Sequence, residues 1–349
     1  MVKTVFFLGA TGYIGGAILQ RLLDVPDAWD ITALVRNEEK AKKLNTFGVK
    51  TIIGSLDDSN RIQQAAADAD IIIHTAHADH VGAAKAILAG AKARFDQTGV
   101  APIYIHTSGT GVFTDENAAG APYDPEKLPL YDDSDRAVLD SVPDTASHRN
   151  VDLLVLGGDA EGYVKSYIVL PATIWGLLTG KLVDAGIANP RSIQIPIAIK
   201  ASIHRGQGAV VGKGENIWPH VEIHELADLY IRVLNGAVAG TATHGRDGLY
   251  IGENGNYLLK DAAATYTRAL HAAGRSRTAE PESFTKEDID KYFGGRPYLG
   301  SNSRAKAVRA KRDLGWAPTK GDADFFKGIE EDVASILADP HGTDLHELR

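Results

Sequence analysis

The chain contains no cysteine, which excludes disulfide staples, thiolate metal sites and cysteine nucleophiles and fits a reducing compartment. It also lacks any apolar run of the roughly 20 residues that a membrane-spanning helix needs. No charged-then-apolar leader precedes its first apolar strand, so the cytoplasm is the expected location and a membrane is not an expected partner. Basic blocks are missing too. With 37 Lys and Arg against 45 Asp and Glu, a net charge of −8, no segment gathers enough cations to track a run of phosphates, and nucleic acid is not expected as a partner. Repeats, low-complexity tracts and linker-like breaks are absent, so nothing marks an independent extra domain. What remains is a 349-residue chain of ordinary apolar content, long enough for a substantial core and a second lobe.

The strongest local signal lies near the start, in Gly9-Ala10-Thr11-Gly12-Tyr13-Ile14-Gly15-Gly16. The apolar run Val5-Phe6-Phe7-Leu8 precedes it, and Ala17-Ile18-Leu19-Gln20-Arg21-Leu22-Leu23 follows with apolar positions at helical spacing. The glycines therefore sit where a buried strand turns into a helix. Such a turn cradles phosphate: one glycine permits the turn, another lets the backbone approach a pyrophosphate, a third lets the helix pack closely, and the helix N-terminus offers free N–H groups. Gly9, Thr11, Gly12, Tyr13, Ile14 and Gly15 are the expected cofactor contacts.

This GATGYIGG stretch resembles the opening motif of the extended short-chain dehydrogenase/reductases, including the NAD-dependent epimerase/dehydratase and NmrA-like branches. The resemblance implies an α/β fold, a Rossmann-type doubly wound parallel sheet with a smaller, discontinuous C-terminal substrate lobe. The cofactor domain is expected to take residues 1–171 and about 217–252, and the lobe about 172–216 and 253–349.

Along the chain, Ile31-Thr32-Ala33-Leu34-Val35 reads as a second buried strand ending in Arg36, with Lys40 a turn later. An arginine at this strand end suits a 2′-phosphate, where an acid would suit a free ribose hydroxyl, so NADP(H) is expected over NAD(H). A third strand over residues 50–53 leads into Gly54-Ser55-Leu56-Asp57-Asp58. This is similar to the family's Gly-Asp-Leu-x-Asp segment at the adenine, with Ser55 in place of the acid and Leu56 keeping the apolar contact, while Asp58 reads as a helix N-cap. Strand four ends in His74-Thr75-Ala76-His77-Ala78-Asp79-His80. The resemblance implies a small-residue turn beside the cofactor here, matched by Thr75 and Ala76 after His74. The three histidines are not expected to bind metal, because strand and helix part them; His77 and His80 can serve as rim groups.

After a helix over 81–97, a fifth strand ends in His106-Thr107-Ser108-Gly109-Thr110-Gly111. The family holds the substrate oxygen with a serine at this point, which is Ser108, and Thr107 falls beside the cofactor. A long polar passage over 115–143 is expected to cover the nicotinamide end of the cleft. The family's next helix opens with TyrxxxLys, the tyrosine relaying a proton and the lysine lowering its pKa and holding the ribose. Here the corresponding helix, over 147–156, carries His148 and Asp152 at that spacing. Tyr163-Val164-Lys165-Ser166-Tyr167 has the wrong spacing and leads into a strand, though Tyr123 or Tyr131 could reach the cleft from the loop. Two accounts stand: His148 is a substitute acid oriented or charged by Asp152, or the redox machinery is lost and the fold only binds cofactor.

Pro171-Ala172-Thr173-Ile174-Trp175-Gly176 resembles the family's RPxxxYG turn, with Pro171, Thr173 and Ile174 beside the nicotinamide. Beyond it, 191–196 is expected to line the substrate cavity, and His220, Glu222 and His224 to clamp the lobes rather than bind metal. Helices are expected over 258–273, 286–292 and 304–312, before Leu314-Gly315-Trp316-Ala317-Pro318, which matches the family's closing LGWxP. The resulting expectation is an NADP(H)-dependent oxidoreductase acting on a carbonyl or imine of a small organic molecule, with Ser108, His148 and Asp152 as catalytic residues. The alternatives are a non-catalytic NmrA-like NADP(H) sensor and a sugar-nucleotide epimerase/dehydratase-like enzyme. A small-molecule substrate is the expected partner, and a homodimer is left open.

Overall fold

The computed structural model describes residues 2–25, 27–115, 117–339 and 341–344; Glu116 of the expected covering loop and residues 345–349 of the expected lobe lie outside them. The strands that matter are β1 (Lys3–Leu8), β2 (Trp29–Val35), β3 (Lys50–Ile53), β4 (Ile71–His74), β5 (Ile103–Thr107), β6 (Lys165–Pro171), β7 (Thr173–Trp175), β8 (Ile217–Glu222), β9 (Leu249–Gly252) and β10 (Asn256–Leu258). The helices are α1 (Tyr13–Leu23), α2 (Glu38–Thr46), α3 (Ser59–Ala67), α4 (Val81–Thr98), α5 (Arg149–Ala160), α6 (Gln194–Arg205), α7 (Ile223–Ala239), α8 (Leu259–Ala272) and α9 (Asp322–Ala338).

Seven parallel strands form the main sheet in the order β9-β6-β5-β4-β1-β2-β3. Their runs of Val, Ile and Phe are buried on both faces, as a parallel sheet between helix layers requires. Chain order reverses between β1 and β4, so the loops leaving these two strands open a crevice at the carboxyl ends of the strands. The second lobe is built on a smaller sheet, β10-β8-β7, packed with α6, α8 and α9. Its core holds Trp175, Trp218, Tyr257, Tyr266 and Phe325. The expected Rossmann-type α/β architecture with a smaller C-terminal lobe is what the chain adopts.

Several local expectations differ. The passage from 177 to 211 holds a full helix, α6, and α9 follows the LGWxP motif; neither is expected from the reading above. Residues 304–312 are not one helix: Ala305–Lys306 pairs with Tyr131–Asp132 as a short parallel ladder, and helix begins only at Arg309. The cause is Asp133, whose Oδ1 accepts from the backbone N–H groups of Val308 and Arg309 at 2.8 and 2.7 Å while Oδ2 accepts from Ile251 N at 2.9 Å. That buried carboxylate staples the long polar passage to the end of β9. The passage accordingly holds a helix of its own, Arg136–Asp140, capped by Asp135. Leu178, Leu182, Ile187 and Ala188, and later Ala305, Ala307, Ala310 and Trp316, also belong to the core of the large sheet.

Candidate functional site

The glycine turn has the geometry its sequence requires. Gly9 takes φ +91°, open to glycine and strained for other residues, and a Cβ there would fall 2.7 Å from the backbone of Thr75 and Ala76. A Cβ on Gly15 would lie 2.0 Å from Gly9 O, so α1 approaches the turn as only glycine allows. Gly12 N donates to Gly9 O at 2.9 Å and Thr75 N to Leu8 O at 2.9 Å, joining the two loops that flank the crevice. Tyr13 and Thr75 differ from expectation in their side chains: the Tyr13 hydroxyl donates to Gly176 O, and Thr75 Oγ1 to Leu8 O at 3.2 Å. Both brace the turn, leaving backbone groups to face a ligand. The residues present fit a dinucleotide diphosphate.

At the end of β2, Arg36 is exposed, and Asn37 caps α2 by accepting from Lys40 N at 2.9 Å. Burial and the charges of Lys43 and Arg36 lower the pKa of the Lys40 ammonium, which places three cations around one strand end. In the turn after β3, Asp58 stands at the N-cap of α3, as expected, but its side chain makes no cap bond. Its Oδ2 instead accepts from Ser55 N at 2.6 Å and folds the Ser55-Leu56 turn, while Ser55 Oγ accepts from Asp57 N at 3.1 Å.

Around the expected catalytic residues the structure brings together more than the spacing shows. Ser108, at the end of β5, donates through Oγ to Asp152 Oδ2 at 2.9 Å. Burial pushes the Asp152 carboxyl up to about 6, against the lowering effects of the Ser108 bond, His148 and Arg149. His148 stands at the N-terminus of α5 with φ +66°, a conformation that costs a non-glycine residue roughly 1–3 kcal/mol and tends to be kept where function requires it. Its partner is Asp79 rather than Asp152. Nδ1 and Asp79 Oδ1 are 2.6 Å apart, and since a carboxylate only accepts, Nδ1 carries the hydrogen. Nε2 is left facing the turn after β5: a Cβ on Gly109 or Gly111 would meet it at 3.6 or 3.1 Å. Burial alone would lower the His148 pKa, but the Asp79 hydrogen bond and charge, with Asp152 adding to them, raise it above the ordinary value.

Several other expected contacts have their side chains engaged by the protein itself. His74 is buried inside the sheet, its Nδ1 3.2 Å from the Tyr104 hydroxyl, and burial together with His80 and His77 lowers its pKa to about 4. The Thr107 hydroxyl pairs with Tyr230 at 2.7 Å and that of Thr173 with Tyr257 at 3.0 Å, so their hydroxyls are committed to the protein. Pro171 closes β6, and Thr173 and Ile174 lie in β7, paired to β8, rather than in an open turn. Ala76 is exposed on the loop after β4. His80 caps α4 through Ala83 N at 2.9 Å, and His77 accepts from Asp79 N at 3.0 Å. Tyr131 stacks on Phe113 with centroids 4.3 Å apart, and Tyr123 lies under the Arg304 guanidinium. Arg191 is drawn off to Ser335 and Asp339.

His220 joins elements within the second lobe rather than clamping the two lobes, and Glu222 ties the end of β8 to α7 and Lys320. Trp175 Nε1 donates to His220 Nδ1 at 3.1 Å, His220 Nε2 meets Asp322 at 2.9 Å, and Glu222 caps α7 while pairing with Lys320 at 3.0 Å. His224 contributes only its backbone. Among the described residues no group of three or more His, Cys, Asp or Glu side chains is placed to hold a metal ion, and no helix is long and apolar enough to cross a membrane. Two site groups escape sequence reasoning, Asp79 and Tyr298. The Tyr298 hydroxyl would sit 3.7 Å from a Gly111 Cβ, on the same spot that His148 Nε2 faces.

With this geometry in view, residues 1–95 match the NmrA-like family. Over the whole chain, "Oxidase ucsJ" of Acremonium sp is 28% identical across 91% of this chain and 93% of its own length. Among solved structures, the UDP-glucose 4-epimerase of Thermotoga maritima superposes with a TM-score of 0.63 at 13% identity, covering 96% of this chain and 99% of the epimerase. The dTDP-glucose 4,6-dehydratase DesIV of Streptomyces venezuelae, solved with NAD bound, gives 0.63 at 17% identity, covering 97% of this chain and 98% of the dehydratase. The fold is thus that of the epimerase/dehydratase structures, and the N-terminal 95 residues are similar to the NmrA-like family.

Proposed function

We propose that this NmrA-like chain is an NADP(H)-dependent oxidoreductase that reduces a carbonyl or imine of a small organic molecule, with His148 as proton donor. The observation that carries the reading is the Asp79–His148 bond at 2.6 Å, which leaves Nε2 facing the glycine turn beside Ser108. The backbone around Gly9, Thr11, Gly12, Ile14 and Gly15 would hold the diphosphate, Arg36 and Lys40 the 2′-phosphate, and the Ser55-Leu56 turn the adenine. A nicotinamide held there would supply the hydride for the substrate carbon.

The protein's own residues do the rest. Ser108 holds the substrate oxygen or nitrogen, and His148 Nε2 gives its proton to that atom as negative charge develops there. Asp79 favours the charged imidazolium before transfer, and solvent restores the proton afterwards. Such a positioned acid accelerates a reaction by about 10²–10⁴-fold.

NADPH oxidation measured against a panel of aldehydes, ketones, quinones and imines tests the reading. His148→Ala should lower kcat by about 10²-fold or more, with NADPH affinity retained, and His148→Tyr should restore part of the rate. An unchanged rate in His148→Ala would remove the proposed role. Tight NADP(H) binding with no turnover by the wild-type protein would favour the sensor reading that the NmrA-like match suggests.

A further inference from the structure

Behind Ser108, the β5–α5 interface buries titratable side chains that the proton donor does not use. Asp152 is 1% exposed; its Oδ2 accepts from Ser108, and its Oδ1 has no hydrogen-bond partner, with His106 Nε2 at 3.6 Å. His106 is fully buried, and neither ring nitrogen is hydrogen-bonded. The groups facing Asp152 are His106 and Tyr104 from β5, His148 and Arg149 at the start of its own helix, and Asp79 from the turn before α4, with His74 of β4 behind His106. The buried face of α4 is alanine, glycine, isoleucine and leucine and brings no charge.

A serine hydroxyl has a single proton. While Asp152 is ionised it can only accept, so that proton points inward and Ser108 offers a ligand nothing but lone pairs. Once Asp152 gains a proton, the acid can donate along the same 2.9 Å line, and the Ser108 O–H is released outward. The added proton has two possible seats. On Oδ2 it makes a hydrogen bond of normal length to Ser108, whereas on Oδ1 it faces an imidazole at 3.6 Å, beyond useful reach. Oδ2 is the better seat.

We propose that Asp152 is a positioning residue that sets the hydrogen-bond polarity of Ser108: neutral Asp152 makes Ser108 a donor suited to a carbonyl oxygen, and ionised Asp152 makes it an acceptor suited to a hydroxyl. The Asp152 carboxyl is held up to about 6 by burial. Burial, with the charges of His74 and His148, keeps the His106 pKa well below its ordinary value, so His106 stays neutral and does not lock Asp152 as an anion. The two polarities therefore exchange in a readily sampled pH range. The consequence for substrate rests on the reductase reading; the proton placement does not.

Infrared difference titration of the full-length protein reads the carboxylic acid C=O band directly. A band that grows as pH falls through about 6 and vanishes in Asp152→Asn is expected, the subtraction separating it from other buried carboxyls. Ser108→Ala should shift its frequency and raise its midpoint by roughly 1 pH unit, because the ionised form loses its one hydrogen bond, while His106→Gln should move it less. A midpoint indifferent to Ser108→Ala, or moved more by His106→Gln, would put the proton on Oδ1 and overturn the proposal. Benzaldehyde reduction and benzyl alcohol oxidation with NADP(H) give the second arm. The KM for benzyl alcohol over that for benzaldehyde, divided by the same ratio in Asp152→Asn at each pH, should rise several-fold below pH 6, and a flat quotient would overturn the proposal. Absence of turnover beside the expected spectra would count against the reductase reading alone.

Discussion

Replacing Asp332 with asparagine should stabilise the protein at pH 8 more than at pH 5. Asp332 lies on the buried face of α9, 1% exposed, and neither carboxylate oxygen has a hydrogen-bond partner among the described residues. Burial raises its pKa from 3.8 to about 7, with the Arg191 charge pulling the other way. In the unfolded chain it titrates near 3.8, so between these values the folded state binds the extra proton, and stability falls as pH rises through that window. A gap of about three pH units at ~1.4 kcal/mol each sets the cost of the ionised form at no more than about 4 kcal/mol, fully present above pH 7 and absent below 4. Asparagine matches the neutral acid in shape and cannot ionise. Thermal unfolding of both proteins at pH 5 and pH 8 is the assay, with a Tm gain of several degrees expected at pH 8 and one about a third to a half as large at pH 5, where about 1.6 kcal/mol of the cost is already present. Equal shifts at the two pH values, or a loss of stability at pH 8, would show that Asp332 is ionised and paired, and would refute the reasoning.

Gly15→Ala should weaken NADPH binding at least about tenfold in a fluorescence titration, because a Cβ 2.0 Å from Gly9 O forces the cradle apart, and each ~1.4 kcal/mol lost is a factor of ten. Arg36→Asp should reverse or erase a preference for NADPH over NADH, and an unchanged ratio of the two affinities would remove the 2′-phosphate role. Asp79→Asn should lower the His148 pKa, since the Asp79 hydrogen bond and charge are what raise it. The protonated donor would then be lost at lower pH, seen as an acid-ward move of the alkaline limb of kcat or of the His148 imidazole signals in NMR.

The parts of the site that read well from sequence are those whose physical demand falls on neighbouring residues. The glycine turn needs its glycines within one strand-to-helix junction, and the positions of His148 and Asp152 follow from one turn of helix. Asp79 is 69 positions from His148, and no local pattern ties an exposed aspartate beside three histidines to that helix start. The same holds for Asp133, which reaches backbone groups 175 and 176 positions away and so stops residues 304–312 from forming one helix. His74 reads as a cofactor neighbour because it ends a strand, but strand ends have two faces, and its side chain takes the inner one beside Tyr104. By contrast α9 was within reach of periodicity: Phe325, Ile329, Val333 and Ile336 recur at helical spacing and are all buried.

The proposed exchange of TyrxxxLys for HisxxxAsp is chemically coherent once the neighbours are counted. A tyrosine starts near pKa 10 and must be brought down to give or take a proton near neutrality, so the charge useful beside it is positive. A histidine starts near 6.5 and must be raised to remain a proton donor above that pH, so the useful charge is negative. The sign of the neighbour has to change with the acid. Here both nearby carboxylates act in that direction, Asp79 by direct contact and Asp152 from one turn along α5, and together they overcome the burial that would discharge the imidazole. A site that had merely lost its tyrosine and lysine would have no reason to hold a histidine at φ +66° with an aspartate 2.6 Å away. The strained backbone, the charge-assisted bond and the free Nε2 act on the same atom, which is why the catalytic reading is preferred to loss of function.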